Sequence, residues 1–413
     1  MLKTEKKMRD NSYNYIIVGG GLAGASAAEG IRVQDKDGST LLIGDEKYLP
    51  YNRPPLSKKL WFGKMKVDEI FVNGREFYEQ NKVELALGEK AVKIDTSVKN
   101  VECASGKTYR YEKLLLATGG TPRKLPVPGG DIEDICYYRY LDDYNRIRAE
   151  SAEGRSAVII GGGFIGSEVA ASLSMNKVDV TMIFPSRYIC GRVFPDYLGK
   201  ALQDVFMKRG IKIISEKPVS FAKKAKKFIT TTSGGKVVES DMVIAGIGIT
   251  PETFLAEGAG LAMENGIKVD EYLRTSNPDI YAAGDNAMFP YQALGETTRV
   301  EHWDNALNQG KLAGRNMAGT REKYTYMPYF FSDLFEFGYE AVGEVSSKLQ
   351  TVADWEKENE KGVVYYLRDN VVRGVMLCNV WEKVDEAREI IRKGERMAPE
   401  SLRGAIKSYK KAG

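Results

Sequence analysis

A short apolar run, three glycines in G-x-G-x-x-G spacing and a stretch of small residues occur twice in this chain, with Gly19 and Gly161 heading turns 142 residues apart. The first copy runs from Tyr13 to Ala28 (YNYIIVGGGLAGASAA), with its glycines at Gly19, Gly21 and Gly24. The second runs from Ser156 to Ala171 (SAVIIGGGFIGSEVAA), with glycines at Gly161, Gly163 and Gly166 and with Phe164 and Ile165 between them. Each β-branched run predicts a buried strand, and the residues after each turn predict a helix. The spacing has a physical reason. The first Gly makes a tight turn, the second lets the backbone approach a pyrophosphate, and the third lets the helix pack on the strand. The helix N-terminus then offers free N–H groups to the phosphate charge. One such turn can be merely structural; two, both between strand and helix, predict two dinucleotide-binding folds.

The second strand of each fold carries the next signal. Thr40–Ile43 is followed by Gly44 and Asp45, and Asp45 lies 21 residues past Gly24. An acid there holds a free ribose hydroxyl, as in FAD or NAD. In the second copy Val180–Phe184 leads to Pro185, Ser186 and Arg187, and Ser186 lies 20 residues past Gly166. No acid stands there, and Arg187 and Arg192 are nearby. That pattern fits a ribose carrying a 2′-phosphate, hence NADPH. A serine that tolerates either ribose, with both arginines solvated, fits use of NADH as well. FAD is therefore expected in the first fold and NADH or NADPH in the second. Three further segments support this: Leu114–Leu116 running into Ala117, Thr118 and Gly119; Met242–Pro251, which contains Gly248; and Thr275–Asp285. The last ends in Gly284-Asp285 ahead of an expected helix, with Asp285 able to accept hydrogen bonds from a flavin's ribityl chain.

Composition closes off other classes. Lys+Arg 60 against Asp+Glu 56 gives +4, too small a surplus for a nucleic-acid binder. Cys103, Cys136, Cys190 and Cys378 are scattered and form no C-x-x-C pair, which argues against a zinc knuckle, a disulfide scaffold and an oxidising compartment. A cytoplasmic location is expected. With His302 the only histidine, no metal site is expected and His302 is not assigned as a general acid. The chemistry falls to a bound cofactor. No apolar run approaches the roughly 20 residues that span a bilayer. The first ten residues, MLKTEKKMRD, lack the apolar core of a secretory signal and read as a frayed tail.

Together these segments resemble the two-dinucleotide-binding flavoprotein reductases of glutathione-reductase-like fold, over nearly the whole chain. The redox-disulfide branches place cysteines soon after the first module, whereas residues 48–58 (YLPYNRPPLSK) contain none. That phrase is similar to the ferredoxin-reductase and apoptosis-inducing-factor branch. GGGFIGSE (161–168), FPSRYICGRVFPDYL (184–198), RVEHWDNA (299–306), FGYEAVGEV (337–345) and GVVYYLRDNVVRGVMLCNVWEKVDEARE (362–389) resemble the apoptosis-inducing-factor family in particular. The last three lie outside the general cofactor motifs. The mitochondrial leader of the animal proteins is not found, and a microbial member is expected.

The architecture implied is α/β. Two Rossmann-like domains are expected, an FAD domain over 1–124 and 251–326 with an NAD(P)H domain over 125–250 inserted in it. A small α+β domain follows over 327–413, with strands at Ala341–Val345, Val363–Leu367 and Val371–Leu377 and a helix at Val384–Lys393. The activity implied is hydride transfer from NADH or NADPH to flavin N5. Electrons then pass, without a redox disulfide, to a ferredoxin- or rubredoxin-like protein, a quinone, a dye or oxygen. The alternative is a redox-gated interaction protein with slow turnover, whose reduced state binds a partner. The resemblance places Asp45, Arg53 and Lys58 at FAD contacts, Asp285 at the flavin-binding Gly-Asp, and Glu301 and His302 where the chain passes the isoalloxazine. Phe164 falls where an aromatic ring stacks beside flavin and nicotinamide. Glu168 falls where a glutamate pairs with the lysine matching Lys58, so that Lys58 stabilises charge on the reduced flavin and Glu168 holds it. Departures fall at Ser186, where the family usually has an acid, at Trp303, which replaces a histidine, and at Phe331, which replaces a tryptophan. Two basic runs, Lys223–Lys227 and Lys407–Lys411, are either solvated faces or a surface for a small acidic electron carrier. Nothing sets the oligomeric state, and a homodimer is compatible with the sequence.

Overall fold

A computed structural model describes residues 11–407. The expected N-terminal tail and most of the second basic run lie outside those residues. The chain forms two compact units, one from residues 11–52, Val67–Thr121 and Thr250–Pro328, the other from Arg53–Lys66, Pro122–Ile249 and residues 329–407.

Among the described residues, the first unit is built on a seven-stranded sheet in the order Val83–Leu87, Thr40–Gly44, Ser12–Val18, Thr108–Leu116, Asn100–Cys103 and Ala91–Asp95, with Ile280–Ala282 also paired to Thr108–Leu116. The pairs around Ser12–Val18 are parallel, with Val18 opposite both Ile43 and Leu116. Ile280–Ala282 runs parallel to the same strand, Ala282 opposite Leu116. Ile16, Ile17, Leu41, Leu42, Leu114 and Leu115 are wholly buried. Continuous apolar runs of this kind suit parallel strands covered on both faces. The helix Leu22–Gln34 packs on Trp303–Met317 at very short range. A Cβ at Gly310 would stand 2.3 Å from the Ala23 carbonyl oxygen, and one at Gly314 2.1 Å from that of Ala27. Gly310 and Gly314 of the later helix thus let its backbone touch that of the first.

The helix expected directly after Asp285 is not there. Gly284-Asp285 leads not into a helix but into the strand Ala287–Tyr291, which pairs antiparallel with Glu296–Arg299; the helix begins only at Trp303. Pro290 lacks the N–H that a helix interior needs. Gly295, at φ +66°, closes the turn between the two strands.

The second unit holds a five-stranded parallel sheet, Lys212–Ile214, Asp179–Ile183, Ser156–Ile160, Met242–Ala245 and Cys136–Tyr137. Val158, Ile160, Ile183, Val243 and Ala245 join Ile135, Tyr137, Phe221 and Phe228 in one core. The last two belong to a three-stranded meander, Pro218–Lys224, Lys227–Thr232 and Val237–Ser240. The C-terminal part is an antiparallel sheet in the order Tyr329–Leu334, Phe337–Gly343, Val371–Cys378, Lys361–Arg368 and Gln350–Lys357, with helix Val384–Lys393 against it. The architecture is therefore two Rossmann-like dinucleotide-binding folds with a small C-terminal α+β part, as the sequence led us to expect.

Candidate functional site

In the first unit the carboxyl ends of four parallel strands carry the candidate residues. Gly19 follows Val18 at φ +128°, and a Cβ there would lie 2.1 Å from the Ala117 carbonyl oxygen. A Cβ at Gly24 would lie 2.0 Å from the carbonyl oxygen of Gly19. These two glycines are required by the fold itself. Gly21 differs: it caps the helix at φ −95°, and among the described residues no atom lies within 4 Å of where its Cβ would stand. The helix has no acidic residue in its first turn and no side-chain cap. No side chain caps its first N–H groups, which leaves them to a bound phosphate. Asp45 is exposed just beyond Thr40–Gly44.

The remaining strand ends of this unit are held by groups that sequence reading missed. Asn286 is fully buried, and its amide donates to the Leu116 carbonyl at 3.2 Å and to the Thr118 hydroxyl at 2.9 Å. Gly119 adopts φ +69° and its carbonyl accepts from the Glu252 N–H. Gly284 sits at φ +90°, and its N–H donates to Gln309 Oε1 at 2.8 Å. Arg299 donates to the Asp285 carbonyl at 2.8 Å and pairs with Glu301 at 2.5 Å. Buried Oδ1 of Asn286 and Nε2 of Gln309 have no hydrogen-bond partner among the described residues. Trp303 Nε1 donates to Asn52 Oδ1 at 2.7 Å. Burial pushes the His302 imidazole down to about 4, against the opposing pull of Asp285 and the Glu301 backbone. It is neutral at pH 7. The open helix N-terminus, the exposed Asp45 and the cradled Gly284-Asp285 turn fit FAD.

The second unit repeats the layout. Gly161 sits at φ +116° with its would-be Cβ 2.4 Å from the Gly246 carbonyl oxygen, and that of Gly166 would be 2.1 Å from the Gly161 carbonyl oxygen. Gly163 caps the helix Phe164–Met175 at φ −86° with open space around it, again without an acid in the first turn. Gly248, at φ +97°, stands at the end of a neighbouring strand, where its carbonyl accepts from the Arg123 N–H. Ile165 is exposed, whereas the Phe164 ring lies 5.3 Å from that of Phe330 and 6.3 Å from that of Tyr339. The Ser186 hydroxyl donates to the Tyr188 carbonyl at 2.9 Å, and Arg187 pairs with Asp196 at 3.5 Å, both side chains well exposed. Arg192 is exposed, and its carbonyl accepts from the Ser347 N–H. These residues fit a nicotinamide dinucleotide.

The same unit gathers a charged cluster. Lys58 Nζ stands 3.2 Å from Glu168 Oε1, 3.4 Å from the Phe331 carbonyl and 4.6 Å from the centre of the Phe331 ring. Glu168 also accepts from Ser57 and Ser332, both missed in the sequence, each at 2.5 Å. Arg53 donates to the Arg139 carbonyl at 2.9 Å, and its guanidinium lies over the Tyr140 ring. All four cysteines are buried and unpaired. Burial pushes the Cys103 thiol up to about 11 and that of Cys190 to about 12. Neither offers a thiolate near neutral pH.

Two Rossmann-type folds with open glycine turns, and no cysteine pair beside them, define a flavin- and nicotinamide-dependent oxidoreductase that works without a redox disulfide. Comparison with known proteins agrees. Residues 13–310 match the pyridine nucleotide-disulphide oxidoreductase family. Residues 313–361 and 353–393 match the C-terminal domain of mitochondrion-associated apoptosis-inducing factor. Apoptosis-inducing factor 1, mitochondrial, of Dictyostelium discoideum is 34% identical, covering 94% of this chain and 81% of its own. Monodehydroascorbate reductase 4, peroxisomal, of Arabidopsis thaliana is 32% identical, over 87% of this chain and 78% of its own. The covalent putidaredoxin reductase–putidaredoxin complex superposes with a TM-score of 0.88 at 30% identity, over 94% of this chain and 95% of that one. The chain belongs to the pyridine nucleotide-disulphide oxidoreductase family, in its ferredoxin-reductase and apoptosis-inducing-factor branch, and is an FAD-dependent NAD(P)H oxidoreductase.

Proposed function

We propose that the protein is a microbial, cytoplasmic reductase that takes hydride from NADPH or NADH and passes electrons to a small protein carrier. The observation that carries this reading is the pair of glycine turns, each opening a helix that has no side-chain cap and no acid in its first turn. FAD, when bound, supplies the redox chemistry, accepting hydride from nicotinamide C4 at N5 and releasing electrons onward. The FAD domain spans 1–124 and 251–326, the nicotinamide domain 125–250 and the C-terminal domain 327–413. The N–H groups beyond Gly21 and Gly163 hold the two pyrophosphates, and Asp45 holds the flavin nucleotide's ribose. Asp285, fixed through its own carbonyl by Arg299, accepts from the ribityl chain. Lys58 carries the positive charge that favours reduced flavin, and Glu168 keeps it in place. Phe164, braced by Phe330, flanks the nicotinamide.

Arg192 and Arg187 are available to a ribose 2′-phosphate. The exposed pair that Arg187 makes with Asp196 is worth at most about 1 kcal/mol, so a phosphate can displace it. The carrier is supported by the likeness to a reductase solved together with putidaredoxin. The first basic run supplies less charge than its sequence suggests. Lys223 pairs with Asp134, and Lys227 with Asp241 at 2.9 Å.

Mixing the NADPH-reduced protein with an acidic ferredoxin tests this reading. Many turnovers of carrier reduction, slowing as salt rises, are expected. Flavin reduction with no onward transfer to a carrier, quinone or dye would sink it and leave redox-gated binding of a partner as the function.

A further inference from the structure

Glu168 is reached by three segments far apart in the sequence. It lies on the helix Phe164–Met175, Ser57 closes the short helix Pro54–Ser57, and Ser332 lies in the strand Tyr329–Leu334. Ser57, Glu168 and Ser332 are 3%, 6% and 1% exposed. The carboxylate's two oxygens are used unequally. Oε2 takes the Ser57 hydroxyl at 2.5 Å. Oε1 takes the Ser332 hydroxyl at 2.5 Å and faces the Lys58 ammonium at 3.2 Å. The serines are themselves fixed. The Ser172 hydroxyl donates to the Ser57 carbonyl at 2.8 Å, and Ser332 is held in register with Tyr339, which is wholly buried.

The distances point to a competition. An unhindered ammonium–carboxylate hydrogen bond closes to about 2.7–2.9 Å, and a carboxylate has roughly four lone-pair sites to share. Here the short bonds go to the hydroxyls, and the longer one goes to the ammonium. Lys58 stands nearest one carboxylate oxygen and shares itself with the carbonyl and ring of Phe331. A hydroxyl donor withdraws carboxylate charge from the cation beside it.

We propose that Ser57 and Ser332 are positioning residues that keep the Lys58–Glu168 pair slack, so that much of the Lys58 charge stays available to a bound flavin. This rests on the proposed action of Lys58 on the flavin. Without one hydroxyl, Glu168 closes on Lys58, neutralises it further and makes reduced flavin less favourable.

The test is the midpoint potential of the bound flavin, measured spectroscopically on the FAD-loaded protein, together with the rate of flavin reduction. Ser57→Ala and Ser332→Ala are each expected to weaken reduced flavin about tenfold, a shift of about 30 mV toward negative potential for a two-electron couple. Ser57→Thr and Ser332→Thr, which keep a hydroxyl, are expected to restore the wild-type potential; an effect of packing alone would not be rescued this way. If an alanine variant fails to retain FAD, the corresponding Cys variant, of similar size and a weak donor, takes its place with the same expected shift. Lys58→Met distinguishes the role of Lys58 from that of the serines. If it leaves potential and rate unchanged, the proposed role of Lys58 is wrong. If it moves them while the serine variants do not, or while they move the potential upward, the positioning role is overturned.

Discussion

Replacing Gly163 by Ala separates binding from folding in the second glycine turn. Gly163 has φ −86° and ψ −168°, a conformation any residue adopts, and among the described residues no atom lies within 4 Å of where its Cβ would stand. The roughly 0.4–1 kcal/mol that an unstrained Gly→Ala change gains through the unfolded state is offset by the preference of an N-cap for Gly over Ala, so the variant should match wild-type stability within about 0.5 kcal/mol. The new methyl, however, sits where a pyrophosphate must approach the helix N-terminus. Losing one hydrogen bond to a charged group costs about 1.5–3 kcal/mol, which is roughly a 10- to 150-fold weaker Kd for NAD(P)H. Gly166→Ala is the contrasting variant. Its Cβ would stand 2.1 Å from the Gly161 carbonyl oxygen, so the turn itself must move. A loss of about 3 kcal/mol is expected, seen as a drop in Tm of roughly 5–10 °C. The assays are thermal unfolding and NAD(P)H titration of both variants. Wild-type affinity in Gly163→Ala, or equal destabilisation by the two changes, would mean that the two glycines do not divide binding from folding.

Three further outcomes are expected. Burial alone would raise the Asp241 carboxyl, but Lys227, Ser156 and Arg155 overcome it and hold the group at about 2, against an ordinary 3.8. Its contribution is then full above pH 4, amounts to about 2 kcal/mol, and is lost as pH falls through 2; denaturant unfolding of Asp241→Asn should show that loss already at pH 7 and a flatter acid profile. Glu168→Leu leaves the ammonium of Lys58, 10% exposed, without its carboxylate and should cost about 3–5 kcal/mol. Adding Lys58→Met should recover most of it in the same unfolding assay, and simple additivity of the two changes would argue against a coupled pair. Ser186→Glu places a carboxylate where a ribose hydroxyl is held and a 2′-phosphate repelled, and should shift the NADH-to-NADPH ratio of kcat/KM at least about tenfold toward NADH. An unchanged ratio would mean that the second-strand residues do not read the ribose.

The parts of the molecule legible in the sequence are those made by local signals. Ile16–Val18, Leu41–Ile43 and Val158–Ile160 are runs of apolar residues bounded by glycine, and each became a buried parallel strand with the glycine at its carboxyl end. Such a strand announces itself within a few residues, and so does the turn that follows. The helix expected directly after Asp285 begins only at Trp303, because Pro290 and the pairing of Ala287–Tyr291 with Glu296–Arg299 make the intervening segment a hairpin. The partners of Glu168 were out of reach for a different reason. Ser57 is 111 residues away and Ser332 is 164 away, and an isolated serine carries no sign of what it will meet. Strand alternation did hold part of the answer, since Ser332 must face away from Phe331. Gln309 and Asn286, which hold the strand ends of the first unit, are likewise polar residues whose meaning lies in burial. The first basic run shows the same limit for charge. Its lysines form a visible cluster, but Asp134 and Asp241, which neutralise two of them, are remote in sequence.

If this reading holds, nicotinamide reduces a flavin held by this chain. Anaerobic titration of the purified, FAD-loaded protein with NADPH and with NADH, followed through the flavin absorbance, tests it most directly. Stoichiometric bleaching by at least one of the two, faster with NADPH or comparable for both, is the predicted result. A protein that binds FAD but is bleached by neither would not be a nicotinamide-driven flavin reductase.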